Sequence, residues 1–257
     1  MKEFENKVVI VTGASQGIGL QIVKEFAKCK AKVIMVSSNM EKLENARKSI
    51  EENQLIESYR CDLRNHNEIK EMAHYIIEKY KTIDIVISNV GAYTDKLPWN
   101  EIDQELWDQA FHLNTLSGYY CAKYFGEFMI ENHIEGNIVC IGSSSALQLK
   151  RGRMHYSVTK SALHTMVQVL ALDLARHHIR INVVSPGPTA TETIQSRLED
   201  PVKVIAEQER MKKIPLGRYA SMNDIANAVL FISSSKASFI TGAILPVDGG
   251  YTLGETI

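Results

Sequence analysis

A chain of 257 residues, 45% hydrophobic and 23% charged, has the size and make-up of one large α/β domain or two small ones with a sizeable buried core. Its formal net charge of -1 leaves no basic footprint for nucleic acid or a membrane surface. No apolar run approaches the roughly 18 residues of a bilayer span, the charged residues 1–7 lack a signal-peptide core, and the scattered Cys29, Cys61, Cys121 and Cys140 have no metal-ligand spacing and read as reduced thiols of a cytoplasmic protein.

The β-branched run Val8-Val9-Ile10-Val11 predicts a buried strand. Thr12-Gly13-Ala14-Ser15-Gln16-Gly17-Ile18-Gly19 follows, and Ile18, Ile22, Val23 and Phe26 then recur at helical spacing. Strand, glycine turn and helix is the order in which a pyrophosphate can be held. Glycines let the backbone turn and come close, and the free amides of a helix start, with its dipole, favour an anion. The spacing is T-G-x-x-x-G-x-G, one residue longer between the first two glycines than the commonest dinucleotide fingerprint. The alternative is a tight connection with no ligand.

Residues 32–36 predict the second strand. Where a fold that prefers NAD places an acidic residue for the ribose 2′-hydroxyl, this chain has Ser37-Ser38-Asn39. With no carboxylate to repel a 2′-phosphate, NADP is slightly favoured over NAD; Asn39 also suits the cap of a helix over 41–51. A third strand over 57–61 runs into Asp62-Leu63, where Asp62 either meets an adenine or caps the helix that follows Asn65. That helix, 68–80, buries Ile69, Met72, Ile76 and Ile77. A strand over 83–87 ends in Ser88-Asn89-Val90-Gly91, and Gly91 permits close backbone approach.

Residues 93–100 read as a loop. A helical region over 101–116 aligns Leu106, Trp107, Ala110 and Leu113, with Asn114 inside the apolar stripe. A buried amide has to find partners, so Asn114 either bends the helix or orders a water. The helix resumes over 119–130. A strand over 136–141 ends in Gly142-Ser143-Ser144-Ser145, either a polar turn or the carboxyl edge of a sheet where ligands bind. From Tyr156 a helix runs to about 177 on a stripe of Leu163, Met166, Val167, Leu170 and Leu174, with His164 read as a satisfied helix histidine. A strand over 179–184 stops at Ser185-Pro186-Gly187-Pro188-Thr189-Ala190-Thr191. Residues 192–214, charged and broken by Pro201, read as a mobile, partly helical lid. Ser221 to Asp224 forms an acidic capping box for a helix over 225–233, and a last strand over 240–247 precedes Asp248-Gly249-Gly250. The alternation predicts a single domain over 1–257: a parallel sheet covered by helices on both faces.

The chemistry concentrates at Tyr156-Ser157-Val158-Thr159-Lys160. Residues four apart on a helix share a face, so phenol and ammonium are neighbours. A nearby cation favours the phenolate, and such a Tyr can exchange a proton with a carbonyl or alcohol oxygen.

Together these segments resemble the short-chain dehydrogenases/reductases over essentially the whole chain. The resemblance rests on the glycine turn, Asp62, Asn89-Val90-Gly91, Asn114, Ser143 thirteen residues before Tyr156, Tyr156 to Lys160, Pro186-Gly187 and Asp248-Gly249-Gly250. It implies a Rossmann-like, doubly wound α/β fold with a seven-stranded parallel sheet, and a homotetramer. It implies that Tyr156 is the general acid or base, that Lys160 binds the nicotinamide ribose and lowers the Tyr pKa, that Ser143 hydrogen-bonds the substrate oxygen, and that Asn114 holds a water linking Lys160 to solvent. Gly13, Ser15, Gln16, Ile18 and Gly19 would wrap the cofactor phosphates. Ser37 and Ser38 would face the 2′ position, Asp62 and Leu63 the adenine, Asn89 the adenosine ribose with Gly91 beside it, and Pro186, Gly187, Thr189 and Thr191 the nicotinamide. The chain departs from the family at Val90, which crowds the cofactor slightly, at Ser37-Ser38, which carry neither common discriminator, and at Gln16, where NADP-preferring members often have Arg. The implied activity interconverts a ketone and a secondary alcohol with NADP(H) or NAD(H). The alternatives are a 3-oxoacyl-[acyl-carrier-protein] reductase and a non-catalytic cofactor-sensing protein. Lys150, Arg151 and Arg153, between Ser143 and Tyr156, would serve a carrier, hold a small substrate's carboxylate, or stand in solvent.

Overall fold

A computed structural model of the chain describes residues 2–51, 53–91 and 96–254. Residues 92–95 of the expected loop lie outside the described residues. Seven strands form one parallel sheet: β1 (Val8–Thr12), β2 (Lys32–Ser37), β3 (Ile56–Arg60), β4 (Ile85–Ser88), β5 (Asn137–Ile141), β6 (Arg180–Pro186) and β7 (Ile244–Val247). Their spatial order is β3-β2-β1-β4-β5-β6-β7. The central strands are apolar on both faces because both faces are covered; every residue of β1, β4 and β5 is buried.

Nine α-helices occur among the described residues. On one face, α1 (Gly17–Lys28), α2 (Met40–Lys48) and α9 (Met222–Ser233) enclose Ile22, Phe26, Leu43 and Val229. On the other, α3 (His66–Tyr80), α5 (Ser117–Glu131) and α6 (Met154–Ala175) enclose Ile69, Met72, Phe125, Leu163 and Val167. The remaining three are α4 (Gln104–Phe111), α7 (Glu192–Glu199) and α8 (Val204–Met211). The doubly wound α/β architecture expected from the sequence is the one observed.

Boundaries moved where a local bond overrode the pattern. α2 stops at Lys48 rather than near 51, because Ser49 Oγ donates to the Ala46 carbonyl at 2.7 Å. β7 starts four residues later than the expected 240, because Gly242 turns with φ +71°. Thr241 Oγ1 and the Gly242 N–H meet Ile181 there instead of extending the ladder. α6 opens at Met154, two residues before Tyr156. The acidic capping box is present: Asp224 N donates to Ser221 Oγ and Ser221 N to Asp224 Oδ2. Asn39 caps α2, accepting from Lys42 N at 2.9 Å. The segment expected as a lid contains two short helices, α7 and α8, joined by residues 200–203.

No helix among the described residues is long and apolar enough to cross a membrane.

Candidate active site

In an open parallel sheet the carboxyl ends of the strands diverge where the order reverses, here between β1 and β4. A crevice of about 890 Å³ opens at that place. Every residue expected on the cofactor side lines it, from Gly13 through Thr191, as do Ser143, Tyr156 and Lys160. Asn114 stands behind the wall and is buried.

The dinucleotide end is built from backbone. Gly13 turns the chain out of β1 with φ +62°. A Cβ on Gly19 would stand 2.2 Å from the Gly13 carbonyl oxygen, so α1 packs this close to the turn only with hydrogen at that position. Asn89 clamps the turn from β4: its Nδ2 donates to the Thr12 and Gly13 carbonyls at 3.0 and 3.2 Å, and its N–H to Thr12 Oγ1 at 3.0 Å. Val90 packs partly against the core and forms part of the crevice wall beside Gly13. Ser15 and Ser37 meet through their hydroxyls at 3.2 Å. This floor, with the amides of a helix start above a tight turn, fits the pyrophosphate and ribose of a dinucleotide.

Two charged groups enter this end that sequence reading did not place. Arg64 clasps Asp62 at 2.6 Å, and this hydrogen-bonded guanidinium holds the Asp62 carboxyl below the usual carboxylate range. Asp62 therefore does not cap α3; Asn65 does, accepting from Asn67 N at 3.0 Å. From the start of α7, Glu192 Oε1 accepts from Gly17 N at 3.3 Å, at the start of α1. The sign for Arg64 was its position two residues beyond Asp62; nothing local foretold Glu192, 175 residues from its partner.

The chemical end is built on α6. Tyr156 and Lys160 are 9% and 2% exposed. The Lys160 ammonium donates to the Ile141 carbonyl at 2.9 Å. Desolvation pulls its pKa down to about 8. A Cβ on Gly91 would stand 2.9 Å from Lys160 Nζ and 3.3 Å from Asn114 Oδ1, so the two side chains converge on one glycine.

Asn114 reaches that point through a π-helical turn, His112–Leu116, between α4 and α5. Such a turn inserts one residue into the helical ladder and is frequent at functional sites. The Asn114 Nδ2 donates to Thr159 Oγ1 at 3.1 Å, and Thr115 Oγ1 donates to the Thr159 carbonyl at 2.8 Å. The helix is reshaped at Asn114, one of the two outcomes the sequence left open. Ser143, in extended conformation (φ -162°), accepts from Ser145 N at 3.1 Å. Its hydroxyl proton is left to donate elsewhere.

His164 departs from expectation. It is 5% exposed and its Nε2 has no hydrogen-bond partner among the described residues. A Cβ on Gly142 would come within 2.3 Å of that nitrogen, so bare backbone faces it. Burial, with Lys160 nearby, pulls its pKa to about 4 and keeps it neutral. Of the three basic residues before α6, Lys150 and Arg153 line the crevice, whereas Arg151 is exposed and outside its wall.

A glycine cradle at a sheet's switch point, leading to a Tyr and a buried Lys one helical turn apart, defines a dinucleotide-dependent oxidoreductase. Residues 13–252 match the family model described as "Enoyl-(Acyl carrier protein) reductase". Over 248 residues the chain is 34% identical to the 3-oxoacyl-[acyl-carrier-protein] reductase FabG of Buchnera aphidicola subsp. Schizaphis graminum (strain Sg), covering 96% of this chain and 98% of that one. Among solved structures it superposes on ElxO with NADP bound at a TM-score of 0.88 and 29% identity, covering 96% and 98% of the two chains. It matches a 7α-hydroxysteroid dehydrogenase complexed with NADH and 7-oxo glycochenodeoxycholic acid at 0.87 and 30%, covering 97% and 95%. The chain belongs to the short-chain dehydrogenase/reductase family. It is an oxidoreductase that interconverts alcohol and carbonyl groups with a nicotinamide dinucleotide.

Proposed function

We propose that this enzyme reduces a ketone to a secondary alcohol with NADPH, using Tyr156, Lys160, Ser143 and Asn114. The dinucleotide supplies the hydride to the carbonyl carbon. The phenol of Tyr156 gives its proton to the carbonyl oxygen as charge develops there, and Ser143 donates a hydrogen bond to the same oxygen. The buried Lys160 ammonium stabilises the phenolate left behind and binds the nicotinamide ribose. Asn114, whose Oδ1 faces the same glycine as Lys160 Nζ, carries a water that returns the proton from solvent. In the oxidising direction each transfer reverses.

The observation that carries the reading is the convergence of Lys160 and Asn114 on Gly91, one helical turn from Tyr156 in a crevice floored by Gly13 and Gly19. Its test is Tyr156→Phe: the variant should bind dinucleotide with unchanged affinity and lose at least about a hundredfold in turnover. Undiminished turnover would refute the assignment.

NADPH is preferred on this reading because Ser37 and Ser38 present hydroxyls and no carboxylate. The check is the kcat/KM ratio for NADPH against NADH. The chain works as one domain, with 192–214 closing over substrate, in a cytoplasmic homotetramer; sedimentation tests the last. A second reading, reduction of a 3-oxoacyl thioester, is favoured by the 34% identity to FabG, and a carrier-bound 3-oxoacyl substrate tests it.

A further inference from the structure

The segment between β6 and α9 leaves the sheet and returns to the place it left. Ala190 N donates to the Ala220 carbonyl at 2.8 Å and Ala220 N to the Pro188 carbonyl at 3.0 Å, so its two feet are bound together. Both feet also rest on one turn, the one that follows β7. Gly187 N donates to the Val247 carbonyl at 3.0 Å, and Leu216 N to the Gly249 carbonyl at 3.1 Å. Gly250, with φ +86°, lets Pro215 come within 2.9 Å of where a Cβ would stand. The turn is tied by its own carboxylate: Asp248 accepts from Gly250 N and Thr252 N, each at 3.0 Å, and from Thr252 Oγ1 at 2.6 Å.

Tyr251 carries this turn into two parts of the crevice wall. Its ring is buried with Ile214 and Tyr219 in a small core of its own, against which Ala190, Ile194, Leu198 and Met211 pack. Among the described residues of that core, Tyr251 is the one member from outside residues 190–219. The helices it steadies, α7 and α8, have eight residues each, too short to hold their shape without packing. On its other side, the Tyr251 carbonyl accepts from Gln148 Nε2 at 3.1 Å. Its phenol accepts from Lys150 Nζ, which also lies 4.5 Å from the ring centroid. Gln148 and Lys150 belong to the loop that leads from Ser143 to α6. Lys150, Ile194 and Tyr219 line the crevice, and Tyr251 stands behind them.

Resting on the oxidoreductase reading above, we infer that Tyr251 is a positioning residue of the carbonyl site. It couples residues 190–219 to the loop after Ser143 and so sets the room in which a ketone meets Tyr156. The dinucleotide clamp of Gly13, Gly19 and Asn89 shares none of these contacts.

Tyr251→Ala and Tyr251→Phe test this with two readouts. The first is native-state cleavage by trypsin after Arg197, Lys203, Arg210, Lys212 and Lys213, located by mass spectrometry. Tyr251→Ala empties the small core and should be cut there at least about tenfold faster than wild type. Tyr251→Phe keeps the ring and should be cut at the wild-type rate. The second readout is kinetic, with ethyl acetoacetate, cyclohexanone and a 3-oxoacyl thioester as probes. For the ketone turned over fastest, Tyr251→Ala should raise KM at least about tenfold, because a displaced wall misplaces the substrate. Tyr251→Phe, which loses only the bond to Lys150, should fall between. NADPH affinity, read by fluorescence, should stay within about fivefold of wild type, the range that loosening Glu192 from the α1 start would cover. Should Tyr251→Ala fail to bind NADPH, Gln148→Met carries the test: it removes the donor to the Tyr251 carbonyl and should raise KM while binding NADPH normally. Wild-type cleavage or wild-type KM in Tyr251→Ala overturns the inference. So does a wild-type KM in Gln148→Met, or a loss of NADPH affinity in any variant that matches its rise in KM. Failure of the underlying reading looks different: the wild type would reduce none of the three probes, and the cleavage rates alone would decide whether Tyr251 holds the segment.

Discussion

Lys160→Met should make the protein more stable and nearly inactive, and the size of the gain can be worked out. The Lys160 ammonium is 2% exposed, with a pKa drawn from 10.5 to about 8 by desolvation. At 1.36 kcal/mol per pH unit, holding it charged at pH 7 costs about 3 kcal/mol. The hydrogen bond to the Ile141 carbonyl offsets part of this, and the variant leaves that oxygen without it, a loss of about 1–2 kcal/mol. Methionine fills the channel with similar volume. The net gain at pH 7 is then about 1–2 kcal/mol, a rise in Tm of about 2–8 °C for a chain of this length.

The sign of the pH dependence is the sharper check. Because the folded pKa lies below the unfolded one, the folded wild type recovers stability as pH rises through 8 toward 10.5, and loses it as pH falls through 8. The advantage of Lys160→Met should therefore be largest near pH 7 and shrink by about 2 kcal/mol by pH 9.5. Burial also pushes the thiols of Cys61 and Cys140 up to about 12, which makes both proteins less stable at high pH. That effect cancels when the variant is compared with wild type at each pH. Urea titrations of both proteins across pH 7 to 9.5 measure it. A variant less stable than wild type at pH 7, or an advantage that does not change with pH, would refute the claim that this ammonium is held charged against desolvation.

Two further substitutions test the dinucleotide end. Gly19→Ala puts a methyl 2.2 Å from the Gly13 carbonyl oxygen; forcing the turn and α1 apart should cost about 1–3 kcal/mol in urea unfolding and abolish measurable dinucleotide binding. Normal binding by a folded variant would mean that the turn and helix need not touch. Glu192→Gln removes a negative charge held 3.3 Å from the Gly17 amide, at a helix start a pyrophosphate would share. Dinucleotide should bind about two- to fivefold tighter, the worth of one charge near a helix terminus, with the gain fading at high salt. Weaker binding would instead make Glu192 a contributor to the cradle.

What the sequence announced and what it hid divide along a physical line. Periodicity and turn chemistry are local, so Tyr156 and Lys160 on one helical face, the glycine turn between β1 and α1, and the Ser221–Asp224 cap could be read directly. Asn114 lies between the two kinds. An amide in an apolar stripe signalled that the helix must yield, but the outcome was fixed by Thr159 on another helix, which takes the Asn114 amide and whose carbonyl receives Thr115. The charges of the crevice are of both kinds: Arg64 reaches Asp62 two residues away, whereas Glu192 meets Gly17 across 175 residues. Asp62 offers the same carboxylate to an adenine, to a helix start or to Arg64, and the bend after β3 decided among them. Arg197 and Arg210 in isolation are two solvated residues of a charged segment. Only Glu207, buried where Tyr219 can reach it, brings the two together at the crevice wall. The proposed catalytic residues are thus legible because each is signalled within its own element. The charged wall of the crevice is less so, because its side chains come from the turn after β3 and from α6, α7 and α8, and no single element shows that they meet.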